Sequence, residues 1–121
     1  MMTAQQLLDY CLKKPHAYVD YPFGEAPACA RVCKRIFAEL YPDPNDFKIT
    51  LRSTPMLSDF YKLQYPGVVV RGYHCPASQQ PHCFTVYVGG VDAETLCRMI
   101  DESYGTVLKK LSKKVRAELA K

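Results

Sequence analysis

The chain has 121 residues, 48% of them hydrophobic, and a formal net charge of +4. This length fits a single domain, which we place over residues 1–121 and which is large enough to fold around its own core. The sequence has no apolar run long enough to span a membrane and no secretion signal, so we expect a cytoplasmic protein with six free cysteine thiols.

The positive charge is concentrated at the C-terminus. Residues 109–121 contain six basic side chains against the single acid Glu118, whereas the rest of the chain is slightly acidic. Such a segment can attract phosphate groups or anionic lipid. It is also typical of the solvated face of a C-terminal helix.

The first predicted element is a helix over residues 3–14. Thr3 and Gln6 form a capping-box pattern, apolar residues recur on one face, and Pro15 ends the helix. Residues 28–41 allow two interpretations. The apolar spacing there fits a helix, but the segment also fits a β-hairpin that turns near Cys33 and Lys34, without the Gly or Asn that such a turn favours.

Residues 47–52 alternate strictly and predict a strand. Phe47, Ile49 and Leu51 should face the core, and Lys48, Thr50 and Arg52 should face the solvent or a ligand. A helix is expected to start at Ser53-Thr54-Pro55, because proline is favoured at the first helical position, and to end at Pro66-Gly67.

Two more predicted strands, 68–70 and 84–88, flank a polar loop with a His-Cys pair at each end, His74-Cys75 and His82-Cys83. Asp92 should cap a long amphipathic helix. Ser112 should begin a last short helix.

Several landmarks spread between Leu7 and Leu119 resemble those of the MmcQ/YjbR family. No single motif is specific, but their order and spacing together are. They are the segments Tyr21–Gly24, Val32–Ala38, Lys48–Arg52, Tyr65–Gly67, Gly72–His74 and Ser103-Tyr104. The chain departs from the family at His82-Cys83, where the family usually has His-Trp.

The resemblance implies an α+β, frataxin-like domain with an N-terminal helix, an antiparallel sheet covered on one face by helices, and a helical C-terminus. It also implies that residues 28–41 form a β-hairpin rather than a helix. The family is usually described as predicted DNA-binding. We therefore expect a non-enzymatic nucleic-acid-binding protein without a cofactor or resident metal, a monomer that contacts the backbone phosphates of double-stranded DNA.

If residues 28–41 form a hairpin beside strand 47–52, several basic side chains share one neighbourhood, as phosphate binding requires. The predicted phosphate contacts are Arg31, Lys34, Arg35, Lys48 and Arg52, with Arg71, Tyr73 and His74 as the rim. The alternative is a non-enzymatic module that holds a protein or small ligand at the loop 73–83.

Zinc binding and catalysis are weaker hypotheses. The cysteines and histidines offer zinc-type ligands, but they lack Cys-x2-Cys or zinc-finger spacing. His82 and Cys83 are adjacent on a strand and point to opposite faces, which does not give the geometry of a nucleophile and its base.

Overall fold

A computed structural model of the protein describes residues 1–73 and 75–119. His74, one of the predicted rim residues, and the C-terminal Ala120 and Lys121 therefore lie outside the described residues. The helices are α1 (Ala4–Leu12), α2 (Pro55–Gln64), α3 (Ala93–Lys109) and α4 (Lys113–Leu119). The strands are β1 (Tyr18–Asp20), β2 (Ala28–Val32), β3 (Arg35–Tyr41), β4 (Lys48–Arg52), β5 (Val69–Arg71) and β6 (Cys83–Tyr87).

The strands form one antiparallel sheet in the order β1-β2-β3-β4-β6-β5. Helices cover one of its faces. The Phe37 ring of β3 lies 5.3 Å from the Tyr104 ring of α3, and the Tyr61 ring of α2 lies 5.5 Å from the Phe84 ring of β6. The predicted α+β class, N-terminal helix, antiparallel sheet and helical C-terminus are thus confirmed.

The ends of the helices follow their predicted caps. Thr3 and Gln6 form the reciprocal capping box of α1, Thr54 caps α2 with Pro55 at the first helical position, and Asp92 occupies the N-cap of α3. Ser112 Oγ accepts a hydrogen bond from Val115 N at the start of α4. Within the described residues, no helix combines the length and the apolar character that crossing a bilayer requires.

Residues 28–41 form the β-hairpin that the family resemblance implies, not the helix that the apolar spacing favours. Cys33 and Lys34 make the turn with positive φ angles of 50° and 68°. The sequence misleads here because β2 is buried on both faces, so its apolar residues do not alternate. A register shift after Ala30 leaves Phe37 as an extra residue in β3.

Lys48 and Thr50 were expected to face the solvent or a ligand, and the structure shows that other parts of the chain cover both side chains instead. Both lie on the sheet face away from the helices, yet Lys48 is only 6% exposed and Thr50 is fully buried. The reason is the connection between β5 and β6, which folds back over this face. Tyr73 N donates to Thr85 Oγ1 at 3.0 Å, and Thr85 Oγ1 lies 2.6 Å from Thr50 Oγ1.

The expectation of six free thiols is also wrong, because Cys75 and Cys83 form a disulfide. The loop between them is held in a tight fold by the Gln80 amide, whose Nε2 donates to the carbonyls of Gly72 and Cys75 at 2.8 and 2.9 Å. Gly72 leaves room for the sulfur of Cys83, since a Cβ there would come within 2.5 Å of it.

Candidate anion-binding site

A cavity of about 360 Å³ lies at the end of the sheet where β2 and β4 end and β3 and β6 begin. Four cationic side chains line it, from the hairpin, from β4 and from the end of α3. We call this cavity the cationic cleft; its lining residues are Arg31, Arg35, Ile36, Arg52, Cys75, Pro76, Gln79, His82, Cys83, Val107 and Lys110.

Arg31 reaches the cleft from β2 in a fixed orientation. Its Nε donates to both carboxylate oxygens of Asp20 at 2.9 and 3.0 Å, and its Nη1 donates to the Lys34 carbonyl at 2.9 Å. The hydrogen bond to Asp20 raises the pKa of the guanidinium. Arg31 is therefore a permanent charge whose position is set before any ligand arrives.

Arg52, at the end of β4, is held by the buried carboxylate of Glu39. Its Nη2 donates to Glu39 Oε1 at 2.9 Å, and Nη1 lies 3.9 Å from the sulfur of Cys75. Its backbone N donates to Ser103 Oγ of α3 at 2.8 Å. Both ends of the residue are thus anchored, one by a neighbouring strand and the other by a helix.

The buried Glu39 carboxylate also acts on its neighbours. Burial, followed by the charge of Glu39, raises the pKa of the Cys29 thiol to about 11. The same two causes raise the pKa of Tyr41 well above its ordinary value. Arg52 supplies the counter-charge to this carboxyl group, which is only 3% exposed.

Residues 75–83 form the second wall of the cleft. The disulfide joins Cys75 to Cys83 at the two ends of this segment, and Ser53 N donates to the His82 carbonyl at 2.8 Å, which ties the segment to the end of β4. Gln79 and His82 contribute polar groups, whereas Pro76 contributes an apolar surface. An imidazole and an amide beside arginines are suitable donors to an oxyanion.

The third wall comes from the C-terminal end of α3, where Val107 and Lys110 line the cleft. Beyond Lys110 the chain enters α4, and the Leu119 carbonyl lies 2.8 Å from His16 Nε2, two residues before β1. Since β1 pairs with β2, α4 lies at the same end of the molecule as the cleft. It exposes three further cations there, Lys113, Lys114 and Arg116.

The structure brings together three of the predicted site residues. Arg31, Arg35 and Arg52 line one cavity, and Lys34 is exposed at the adjoining turn. Two other predicted residues lie apart from it. Arg71 pairs with Phe84 on the helix-covered side of the sheet, and the Tyr73 ring packs against another cation.

That cation is Lys48, which does not line the cleft. Its Nζ is ion-paired with Asp46 and lies 4.4 Å from the centroid of the Tyr73 ring and 5.2 Å from that of Tyr41. A lysine that is buried, paired and stacked in this way stabilises the covered sheet face. It offers little of its charge to a ligand.

Lys110 is the cation of the cleft that sequence reasoning did not include, and His82 was included only in the alternative ligand site at the loop 73–83. Lys110 is separated from Arg31 by most of the chain, and only the packing of α3 on the sheet brings the two together. The available signals were the basic C-terminal segment and the His82-Cys83 pair. Neither signal indicates a position beside the hairpin.

The cleft is suited to binding an anion rather than a metal. Arginine and lysine donate hydrogen bonds and do not coordinate cations. Among residues 1–73 and 75–119, no three His, Cys, Asp or Glu side chains converge on one point. Two of the thiols considered as zinc ligands are engaged with each other in the disulfide.

The fold and the cleft together define a small α+β domain with a cationic cavity at one end of an antiparallel sheet. The YjbR family model matches residues 12–106, which cover most of the chain. The chain belongs to the YjbR family. No curated protein matches it.

Solved structures of similar fold include proteins from two bacteria. One is the crystal structure of a Deinococcus radiodurans protein, described as a DUF419 domain, which is 27% identical in sequence and has a TM-score of 0.89. The alignment covers 99% of this chain and 89% of the Deinococcus chain. A crystal structure of a Pseudomonas syringae protein has a TM-score of 0.71 and 25% sequence identity, and the alignment covers 87% of this chain and 98% of the Pseudomonas chain. A solution NMR structure from Pseudomonas syringae, at a TM-score of 0.64 and 24% identity, shows the same fold.

Proposed function

We propose that this protein binds nucleic acid, namely double-stranded DNA, through its backbone phosphates at the cationic cleft. The observation that carries this proposal is the convergence of Arg31, Arg35, Arg52 and Lys110 on one cavity. Phosphate oxygens are matched by arginine forks and by lysine point charges. Each neutralised phosphate also releases condensed counterions, which favours binding.

The distribution of charge over the molecule supports the same surface. The exposed basic side chains of the hairpin turn and of α4 extend the positive area outward from the cleft. The acidic residues Asp43, Asp46, Asp92 and Glu94 lie around the opposite end, at the β3–β4 turn and the start of α3. A protein polarised in this way should approach DNA with its cationic end first.

The test is fluorescence anisotropy with a labelled duplex and a matching single strand, titrated between about 50 and 200 mM salt. We expect a Kd of the order of micromolar at the lower salt concentration. We also expect a linear log–log salt dependence with a slope of about 0.9 per phosphate contacted on duplex DNA. Absence of binding to the duplex at the lower salt concentration would overturn the proposal.

A pair of charge-matched variants locates the contact. Replacing Arg35 and Lys110 with glutamine should weaken binding and reduce the salt slope by about two contacts. Replacing Lys13 at the C-cap of α1 and Lys62 on α2 with glutamine removes the same charge outside the cleft and should leave the slope unchanged. If the two variants lose affinity equally, only net charge matters and the cleft is not the contact.

A second candidate function is a non-enzymatic module that holds a small ligand or a protein at the loop 73–83. The observation in its favour is that five residues of this loop line the same cavity: Cys75, Pro76, Gln79, His82 and Cys83. A cavity of this volume lies within the range of small-molecule sites. The two functions differ in whether duplex DNA binds at all.

The remaining features of the proposal are that the domain is frataxin-like, acts as a monomer in the cytoplasm, and binds rather than catalyses. An antiparallel sheet covered on one face by terminal helices supports the frataxin-like architecture. The engagement of Cys75 and Cys83 in a disulfide supports binding over thiol catalysis, since a nucleophile must be a thiolate.

A further inference from the structure

We propose that the cationic cleft is a site for a phosphate monoester dianion, the group carried by a nucleoside monophosphate or by the phosphorylated end of a nucleic acid strand. This inference deepens the proposed function, because it assigns a ligand group to the same cleft. Three properties of the cleft point to a terminal phosphate: its charge balance, the fixed orientation of its arginines, and its size.

The charge balance matches a dianion. Four cations line the cleft, and two carboxylates are paired to them: Asp20 to Arg31 and Glu39 to Arg52. Two positive charges therefore remain, nominally those of Arg35 and Lys110. A phosphate monoester carries about −1.5 to −2 charges near neutral pH. An internal phosphodiester carries one negative charge, so a backbone phosphate neutralises only half of this excess.

The orientation of the arginines favours the trigonal array of oxygens that a terminal phosphate presents. Carboxylates hold Arg31 and Arg52, whose side chains are only 19% and 23% exposed, so little rotamer entropy remains to be lost on binding. Arg35 and Lys110 are exposed and can close on the ligand from the outer side. Three terminal oxygens can engage several donors at once, whereas a diester has only two non-bridging oxygens.

The interior of the cleft has room for one nucleotide, whereas a continuous duplex can contact only its mouth. Its volume of about 360 Å³ lies at the lower end of the range for small-molecule pockets. Ile36, Pro76 and Val107 supply apolar surface for a sugar or base beside the cations, and Gln79 and His82 supply polar groups. A strand end or a single nucleotide can enter such a cavity, with the phosphate first.

The experiment compares ligands that differ only in the terminal phosphate. Thymidine 5′-monophosphate and thymidine are titrated by isothermal calorimetry. A short single strand is then titrated with either a 5′-phosphate or a 5′-hydroxyl, at constant ionic strength. We expect the monophosphate to bind and thymidine not to bind, and the 5′-phosphorylated strand to bind at least about tenfold more tightly than its hydroxyl counterpart.

Variants assign the effect to the cleft. Arg35→Gln and Lys110→Gln, both at exposed positions, should each weaken binding of thymidine monophosphate by roughly tenfold. Lys13→Gln, at the C-cap of α1, should leave this affinity unchanged. If the cleft variants bind the monophosphate as tightly as the unaltered protein, the assignment of the site is overturned.

The outcomes separate this inference from the proposed function. Duplex binding with no preference for the 5′-phosphate and no affinity for thymidine monophosphate overturns the inference and leaves DNA binding intact. Affinity for the monophosphate without duplex binding upholds the inference and overturns the DNA proposal. No binding of any of these ligands overturns both.

Discussion

At the residue scale, Ser103 joins the helical layer to the sheet beneath the cleft. The side chain is fully buried in α3. Its Oγ donates to the Phe37 carbonyl and accepts the backbone N–H of Arg52. One hydroxyl thus satisfies a carbonyl of β3 and an amide of β4, at the bulge and at the strand end that build the cleft.

We expect Ser103→Ala to lower the free energy of unfolding by about 1–3 kcal/mol, because it leaves a buried donor and a buried acceptor without their partner. Urea denaturation measures this change. Ser78→Ala, at an exposed position of the loop, is the control and should stay within about 0.5 kcal/mol of the unaltered protein. Equal effects of the two substitutions would show that the hydrogen bonds of the Ser103 hydroxyl do not contribute to the free energy of unfolding.

A second residue-scale prediction concerns Cys11 and alkaline pH. Burial raises the pKa of this thiol from 9.0 to about 12. Above pH 9 the unfolded chain therefore releases a proton that the folded chain retains, and stability falls as pH rises from 9 towards 12. Cys11→Ala removes this contribution. Between pH 8 and pH 10, the free energy of unfolding of the variant should therefore fall by about 1.4 kcal/mol less than that of the unaltered protein. Urea denaturation at both pH values checks this, and parallel declines would contradict it.

At the element scale, the turn of the β2–β3 hairpin has the backbone of a type I′ turn but not its preferred residues. Cys33 and Lys34 both have positive φ, where side chains other than Gly and Asn are disfavoured. Replacing this pair with Asn-Gly should raise stability by about 1 kcal/mol and Tm by roughly 4 °C.

Lys34→Ala is the matched control for the turn. It removes the lysine charge, as the Asn-Gly replacement does, but keeps a Cβ at the second turn position, so the melting temperature should not rise. Thermal unfolding followed by circular dichroism compares Lys34→Ala with the Asn-Gly variant. If the Asn-Gly hairpin melts no higher than the alanine variant, the positive φ angles do not limit the stability of this turn.

Most elements could be predicted from the sequence, because their signals are local. The capping box of α1, the proline at the start of α2 and the alternation in β4 each act within a few residues. The hairpin is different: both faces of β2 are buried, so its apolar spacing imitates a helix. The residues allow a helix or a hairpin, and only the family resemblance favoured the hairpin. The edge strand β1 has three residues and forms only because β2 lies beside it.

The cleft was predictable only in part, for a related reason. Arg31, Arg35 and Arg52 come from a hairpin and its neighbouring strand, so sheet geometry alone brings them together. Lys110 joins them only through the packing of α3. Lys48 alternates with core residues as Arg52 does, but it lies under Tyr73 because a distant loop covers that part of the sheet. Alternation shows which face a side chain lies on and not what covers that face.

At the scale of the whole molecule, the concentration of cations at one end has a cost in stability. Arg35 and Lys110 line the same cavity without a carboxylate of their own among the described residues, so they repel each other and the neighbouring arginines. A site that stores like charges is less stable when empty than when a ligand neutralises it. Ligand binding and folding stability are therefore linked at this end of the protein.

This linkage predicts that inorganic phosphate raises the melting temperature more than sodium chloride does at the same ionic strength. Chloride only screens the repulsion, whereas phosphate bound in the cleft adds RT ln(1 + [L]/Kd), about 2.7 kcal/mol at a hundredfold excess over Kd. In Arg35→Gln the extra effect of phosphate should shrink, and the melting temperature without phosphate should rise slightly because one repelling charge is gone. Differential scanning fluorimetry of both proteins in the two salts measures these shifts. If phosphate and chloride stabilise the unaltered protein equally, the clustered cations do not form an anion site.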